Sequence, residues 1–284
     1  MTEHLKIHIA DGIGTLTLNR PEKLNAFTSD MLWGLIAALD DFEKRDDVAV
    51  AVLTGAGKGF CSGGDIGGMG EGHEARPHMT KERIWREIQA FPKRVARFEK
   101  PILCAVNGAA VGGGMDLALA CDIRVAGASA RFAETYAKIG LAPGGGGAYF
   151  LPRLVGKARA LELLWTADFI GSETALEIGL VNHVYPDEQL LDETLKLAKR
   201  IAAMPPLSVK LINALSIRAF AAIWTRPSTW SAVTSPFYGQ AKITRKRLQP
   251  SRKNGPANTR ATNADWRNPD WIHFPSPRQT GTHA

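Results

Sequence analysis

The sequence predicts an α/β fold, and three observations carry that expectation. Short apolar runs that read as buried strands (48–53, 102–106, 123–126) alternate with segments whose apolar residues recur at helical spacing. Two of these runs feed glycine-rich turns that open onto helices, over 50–66 and 102–119. The chain has 284 residues, 45% of them hydrophobic, which suffices to bury one large core.

Residues 5–10 and 14–18 alternate apolar and polar around Asp11-Gly12, the signature of a β-hairpin. A loop follows at Asn19-Arg20-Pro21-Glu22-Lys23. Ser29 or Asp30 is placed to cap a helix running to about Glu43, with Leu32, Leu35, Ile36 and Leu39 on one face. Val48 to Leu53 reads as a strand and Gly55 to Gly72 as a glycine-rich loop. A helix is expected from Lys81 to Phe98, bent at Pro92, which can neither donate to the helical ladder nor fit its carbonyls. Ile102 to Val106 is a buried strand, followed by a glycine turn, a helix through Ala120 and a strand over Ile123 to Ala126. Helices follow at about 147–154, 157–166, 172–178 and 187–203, with a strand at 180–185.

Composition narrows the function classes. No apolar run approaches the roughly 20 residues that cross a bilayer. The N-terminus lacks a basic segment followed by an apolar one, so no secretory signal is read. Cys61, Cys104 and Cys121 are scattered and odd in number, which points to a reducing, cytoplasmic setting and to neither a disulfide framework nor a metal site. The formal charge of +7 would ordinarily suggest nucleic acid. From residue 214 onward, however, eleven Lys/Arg face only Asp265 and Asp270, so the tail carries +9 and residues 1–213 carry −2. The basic signal belongs to the tail, and no nucleic-acid or membrane partner is expected for the body.

The chemistry concentrates in two loops, Gly59-Phe60-Cys61-Ser62-Gly63-Gly64-Asp65-Ile66 and Gly112-Gly113-Gly114-Met115-Asp116. Glycines let a backbone approach a ligand closely, and a helix N-terminus presents unpaired N–H groups to it. Two such loops can aim two donors at one oxygen, and Asp116 stands beside them as a carboxylate that can handle protons. The four glycines at 144–147 permit a close turn, but no Lys-Ser/Thr follows them, so they are not a phosphate-binding P-loop.

On these two loops, on Leu18-Asn19-Arg20-Pro21-Glu22-Lys23-Leu24-Asn25-Ala26, on Cys121-Asp122-Ile123-Arg124, on Phe132-Ala133-Glu134 and on the 139–147 and 151–153 segments, the chain resembles the enoyl-CoA hydratase/isomerase (crotonase) superfamily over roughly residues 5–213. The resemblance implies a crotonase-like ββα superhelix with a C-terminal helical or irregular extension. It implies an acyl-CoA core over 1–200, the start of a helical region over 201–213, and a trimer or hexamer. The family's oxyanion-hole N–H groups fall on Gly64 and Gly113, where each donor is typically worth about 3–4 kcal/mol to a developing enolate. Its CoA contacts fall on Lys23, Leu24, Gly63, Asp65 and Ile66; His73, His78 and Arg76 are candidates for the CoA phosphates. Coenzyme A enters as part of the substrate, with no separate cofactor.

The acid/base residues depart from the family pattern. The first hydratase glutamate falls on Asp116, which keeps a carboxylate on a shorter arm. The second falls on Tyr136, and the aspartate of related isomerases falls on Gly144. A phenol, with an ordinary pKa near 10, donates protons but is a poor base at neutral pH. Glu134 reaches the same side as Tyr136 if the segment is extended and diverges if it is helical. Asp122 and Arg124 read as structural polar contacts. The activity implied is enoyl-CoA hydratase-like, with enoyl- or dienoyl-CoA isomerisation, or thioester binding with weak chemistry, as alternatives.

After about Asn213 the resemblance stops. Residues 214–284 hold Trp224, Trp230, Trp266 and Trp271, scattered prolines and basic clusters without a period, and are expected to be poorly ordered. Back-translating Gln249 to Asn263 and dropping two bases permits Ala-Phe-Pro-Gln-Lys-Arg-Pro-Gly-Gln-Tyr-Lys-Gly-His and a stop, which resembles the family's C-terminal end. A frameshift shortly after Lys210 is therefore expected.

Overall fold

The computed structural model describes residues 3–65, 82, 84–213 and 215. These lie in one unit, Met1–Arg247. Ten strands form two sheets. The larger holds β1 (Leu5–Ala10), β2 (Ile13–Leu18), β3 (Val50–Gly55), β5 (Ile102–Val106), β7 (Ile123–Gly127) and β10 (His183–Tyr185), paired in that order. Only the β1–β2 hairpin is antiparallel; the other pairs are parallel. The smaller holds β4 (Gly59–Cys61), β6 (Ala109–Val111), β8 (Arg131–Ala133) and β9 (Ile170–Gly171).

Each long parallel strand is followed within a few residues by a short strand of the second sheet. β3 leads to β4, β5 to β6 and β7 to β8. This is the expected ββα repeat. The sequence reading missed the short strands. At three residues each they are too brief to show a period, and β4 lay inside the stretch read as loop. The repeats stack so tightly that a Cβ on Gly108 would lie 2.1 Å from the carbonyl oxygen of Lys58.

The helices occur where periodicity placed them, with two corrections. Helix α1 (Ser29–Lys44) is capped by Thr28, whose hydroxyl accepts from the Met31 N–H at 3.2 Å, and not by Ser29 or Asp30. The expected helix over 81–98 is, in its described part, a wide turn over Ile84–Ile88 followed by α2 (Ala90–Val95). Pro92 sits buried inside α2, where it offers no N–H, and the Gln89 N–H reaches back five residues to Ile84. Further on stand α3 (Gly113–Ala120), α4 (Gly147–Val155), α5 (Lys157–Thr166), α6 (Ser172–Glu177) and α7 (Leu190–Ala202).

The core lies between the larger sheet and helices α1 to α3. Leu16, Leu18, Met31, Leu35, Leu39, Phe42, Phe91 and Ile102 are wholly buried there. The Lys100 amine closes the C-terminal end of α1 by donating to the carbonyls of Phe42 and Arg45, both at 2.6 Å. Asp122 accepts from the Ile102 N–H at 2.8 Å, and Arg124 donates to the carbonyls of Leu180 and Cys121. Both are the structural contacts expected of them.

Candidate active site

The two glycine loops meet. A Cβ on Gly63 would lie 3.1 Å from the Val111 carbonyl oxygen and 3.6 Å from the Gly113 nitrogen. Gly63 adopts φ +102°, open to glycine but costly for other residues. The Phe27 N–H donates to the Gly63 carbonyl at 2.8 Å, and the Asp65 N–H donates to the Phe27 carbonyl at 2.9 Å. In this parallel bridge the backbone groups of Gly64 point away from Phe27. Gly113 is the first residue of α3, so its N–H has no partner within the helix. Among the described residues neither N–H finds a protein acceptor.

The Phe27 ring stands between the two donors. Positions for a Cβ lie 3.6 Å from it at Gly64 and 2.8 Å at Gly113. A Cβ on Gly114 would lie 2.0 Å from the Cys61 carbonyl oxygen, so the second loop is held backbone against backbone.

The segment expected to contact CoA is fixed to the first loop. Ser62 N–H donates to the Leu24 carbonyl at 3.0 Å, and the Ser62 hydroxyl to the Lys23 carbonyl at 3.3 Å. Buried Asn25 ties the segment down, donating to the carbonyls of Ala56 and Gly59 and accepting from the Arg20 N–H. Arg20 pairs with Asp65 at 2.9 Å. Lys23 and Leu24 are exposed beside Gly63. Ile66, Arg76, His73 and His78 lie outside the described residues.

The three acid/base candidates come together. Glu134 follows β8, and Tyr136 lies on a short 3₁₀ turn, Thr135–Ile139, so the segment is neither plainly extended nor α-helical. Both side chains reach Asp116. The Tyr136 hydroxyl donates to Asp116 Oδ2 at 2.5 Å, and the Gly145 N–H donates to the same oxygen at 3.0 Å. Asp116 is thus bonded from two other loops. Its Oδ1 and both oxygens of Glu134 are buried without a hydrogen-bond partner. A Cβ on Gly147 would lie 2.4 Å from Glu134 Oε1 and 2.6 Å from Asp116 Oδ1, so those oxygens lie within ~5 Å of each other, near enough for one water to join them.

Burial raises both carboxyls. The Asp116 carboxyl is pushed up to about 6, because the Tyr136 hydroxyl and the amides of Gly147 and Gly145 oppose desolvation. Glu134 has no such donors. Desolvation first, then the charge of Asp116, pushes it well above the ordinary carboxyl range. Both carboxyls are thus shifted toward the protonated form, with no hydrogen-bond donor to offset the burial of Glu134.

The sequence matches the enoyl-CoA hydratase/isomerase family over residues 8–224. The chain belongs to that family. The match runs beyond Asn213, where the resemblance was expected to stop.

Among its relatives is the 1,2-epoxyphenylacetyl-CoA isomerase of Escherichia coli K12, 39% identical over 75% of this chain and 81% of the relative. Another is the short-chain-enoyl-CoA hydratase of Clostridium acetobutylicum, 38% identical over 70% of this chain and 75% of the relative. A probable enoyl-CoA hydratase structure from Mycobacterium thermoresistibile superposes with a TM-score of 0.77 at 26% identity, covering 85% of this chain and 99% of that one. The enoyl-CoA hydratase/isomerase fold explains why the two loops meet: the β3–β4 and β5–β6 repeats are neighbours in both sheets. Among the described residues no helix is long and apolar enough to cross a membrane.

Sequence reasoning missed Gly145 and Gly147 as parts of the site. The only signal was the glycine run itself, which reads equally well as a turn. Its role emerges once the loop is folded against Asp116 and Glu134.

Proposed function

We propose that this protein acts on an acyl-CoA thioester by stabilising its enolate, with enoyl-CoA hydratase-like lyase chemistry. The observation that supports this most is the meeting of the Gly64 and Gly113 backbone at one place, with Asp116 one helical turn beyond Gly113. The thioester oxygen accepts from the two N–H groups, and they stabilise the charge it gains as the Cα–H bond breaks or forms. Asp116, Glu134 and Tyr136 form the acid/base cluster. Lys23, Leu24, Gly63 and Asp65 border the CoA entry, and coenzyme A arrives as part of the substrate.

A second reading is migration of a double bond within an enoyl-CoA. It is supported by the family description, which covers isomerases as well as hydratases. Crotonyl-CoA separates the two. Hydration removes the absorbance of the conjugated thioester; an isomerase leaves crotonyl-CoA largely unchanged and creates that absorbance from a 3-enoyl-CoA. Absence of both reactions, with acyl-CoA bound, sinks the enzymatic reading.

Assembly as a homo-trimer or hexamer is part of the proposal. Exposed Leu207, Leu211 and Ile212 give the C-terminal part of the described chain an apolar face to cover. Light scattering of the purified protein gives the mass that decides it.

A further inference from the structure

We propose that Tyr136 is the group that exchanges a proton with the substrate, and that Asp116 acts only through it. This rests on the acyl-CoA reading above and assigns the proton path within that site.

Asp116 is 2% exposed and offers a substrate little surface. Oδ2 is taken by the Tyr136 hydroxyl and the Gly145 N–H. Oδ1 is buried beside Gly147. Glu134 is 0% exposed, with its Oε1 beside Gly147 as well. Tyr136 is the one member of the three that is only half-buried. Its ring lies 3.9 Å from the position of a Cβ on Gly112, and its hydroxyl oxygen 3.4 Å from that of a Cβ on Gly113. The phenol oxygen therefore stands at the mouth of α3, beside an N–H proposed to hold the thioester oxygen. A proton passing between the substrate and Asp116 meets Tyr136 first.

The step balances without another reactant. As the substrate Cα–H bond breaks, its electron pair moves into the enolate held by Gly64 and Gly113. The proton goes to the Tyr136 oxygen, and the original phenol proton goes to Asp116 Oδ2. Reversal at Cα or at the far carbon returns a proton from Tyr136 and reprotonates Tyr136 from Asp116. For hydration the same relay takes a proton from the attacking water and delivers one to Cα. In each case Asp116 changes charge and Tyr136 ends as a phenol. A carboxylate is a far stronger acceptor for the phenol proton than water in this buried setting, which answers the objection that a phenol is a poor base.

The test measures exchange of the Cα protons of butanoyl-CoA in D₂O, and crotonyl-CoA turnover, for the full-length wild type, Tyr136→Phe, Asp116→Asn and a protein with 3-fluorotyrosine at 136. The expected result is a loss of at least a hundredfold in kcat for Tyr136→Phe, with butanoyl-CoA affinity within threefold of wild type. Asp116→Asn shows a comparable loss. The 3-fluorotyrosine protein stays active, and its alkaline limb shifts to lower pH because its phenol is more acidic. Tyr136→Phe retaining kcat within threefold overturns the relay while leaving the acyl-CoA reading intact. If Tyr136→Phe fails to fold, the fluorotyrosine profile decides, and an unmoved alkaline limb overturns the relay. A wild type that neither exchanges nor turns over these thioesters overturns the acyl-CoA reading, and the relay with it.

Discussion

The Tyr136 hydroxyl donates to Asp116 Oδ2 at 2.5 Å, across twenty residues of sequence. The bond brings a phenol to a carboxyl that burial has raised to about 6, and it favours the ionised form of that carboxyl. Its consequences are measurable.

Activity is expected to rise with pH through about 6, the value to which burial brings Asp116. The groups facing Asp116 are Tyr136 and Glu134. Burial also raises Glu134, so the profile of Glu134→Gln, which lacks that titration, is measured beside the wild type to assign the limb. A kcat/KM profile on crotonyl-CoA or a 3-enoyl-CoA reads it directly. A flat profile between pH 5 and 7 contradicts the assignment.

Glu134→Gln is expected to stabilise the protein increasingly as pH rises. The folded-state pKa of Glu134 lies above its unfolded value, so the native state binds more protons once pH exceeds the ordinary carboxyl value near 4.5. The contribution of this group is full below that value and is lost as pH climbs toward its folded pKa. Glutamine does not titrate. Denaturant melts at pH 5 and 8 should show the variant gaining on the wild type at the higher pH; an equal difference at both would contradict the buried, neutral Glu134.

Gly147→Ala is expected to cost about 1–3 kcal/mol of stability and most of the activity. The new Cβ would stand 2.4 Å from Glu134 Oε1 and 2.6 Å from Asp116 Oδ1, forcing the carboxyls or the α4 backbone to move. Thermal melting and turnover measured together check this. A variant with wild-type melting and wild-type turnover refutes the packing argument.

Gly113→Ala should lose about 10²–10³ in kcat if its N–H holds the thioester oxygen. The added methyl meets the Phe27 ring at 2.8 Å and displaces the helix start. Adding Phe27→Leu removes that obstacle and should restore part of the loss. The double-mutant cycle measures the coupling, and strictly additive losses would show that ring and glycine do not oppose one another.

Sequencing the DNA across codons 205–263 should reveal a shifted frame that encodes a family-like C-terminus. The break in composition after Asn213 motivates this expectation, while the family match, running on to residue 224, puts any shift later than the point after Lys210. A natural reading frame with no family-like alternative would discard it, and the basic tail would then need a partner of its own.

The α/β class, the hairpin, the parallel strands β3, β5 and β7 and the helices α1, α3, α5 and α7 were legible because each is long enough to show its period or its buried apolar run. The second sheet was not. β4, β6 and β8 have three residues each and are held by their neighbours in the stack, as Gly108 packed on Lys58 illustrates. The cap of α1 was misplaced by one residue, because Thr28, Ser29 and Asp30 are all competent caps and only backbone geometry selects among them.

By itself the sequence determined the family, through ordered motifs from Leu18 to Arg153, and it located Gly64, Gly113 and Asp116. For Gly113 the reason is local, since a residue opening a helix leaves its N–H unpaired wherever that helix goes, while Gly64 was placed by the family resemblance alone. It left open whether Glu134 and Tyr136 lie on one side, and it was silent on Gly145 and Gly147. Only the tertiary structure decided these points. A 3₁₀ turn after Glu134 brings Tyr136 to Asp116, and the 144–147 loop closes over both carboxyls from about thirty residues away. Shared burial then raises both carboxyls. Desolvation depends on everything packed around a group, and that environment is assembled from segments the local sequence cannot relate to one another.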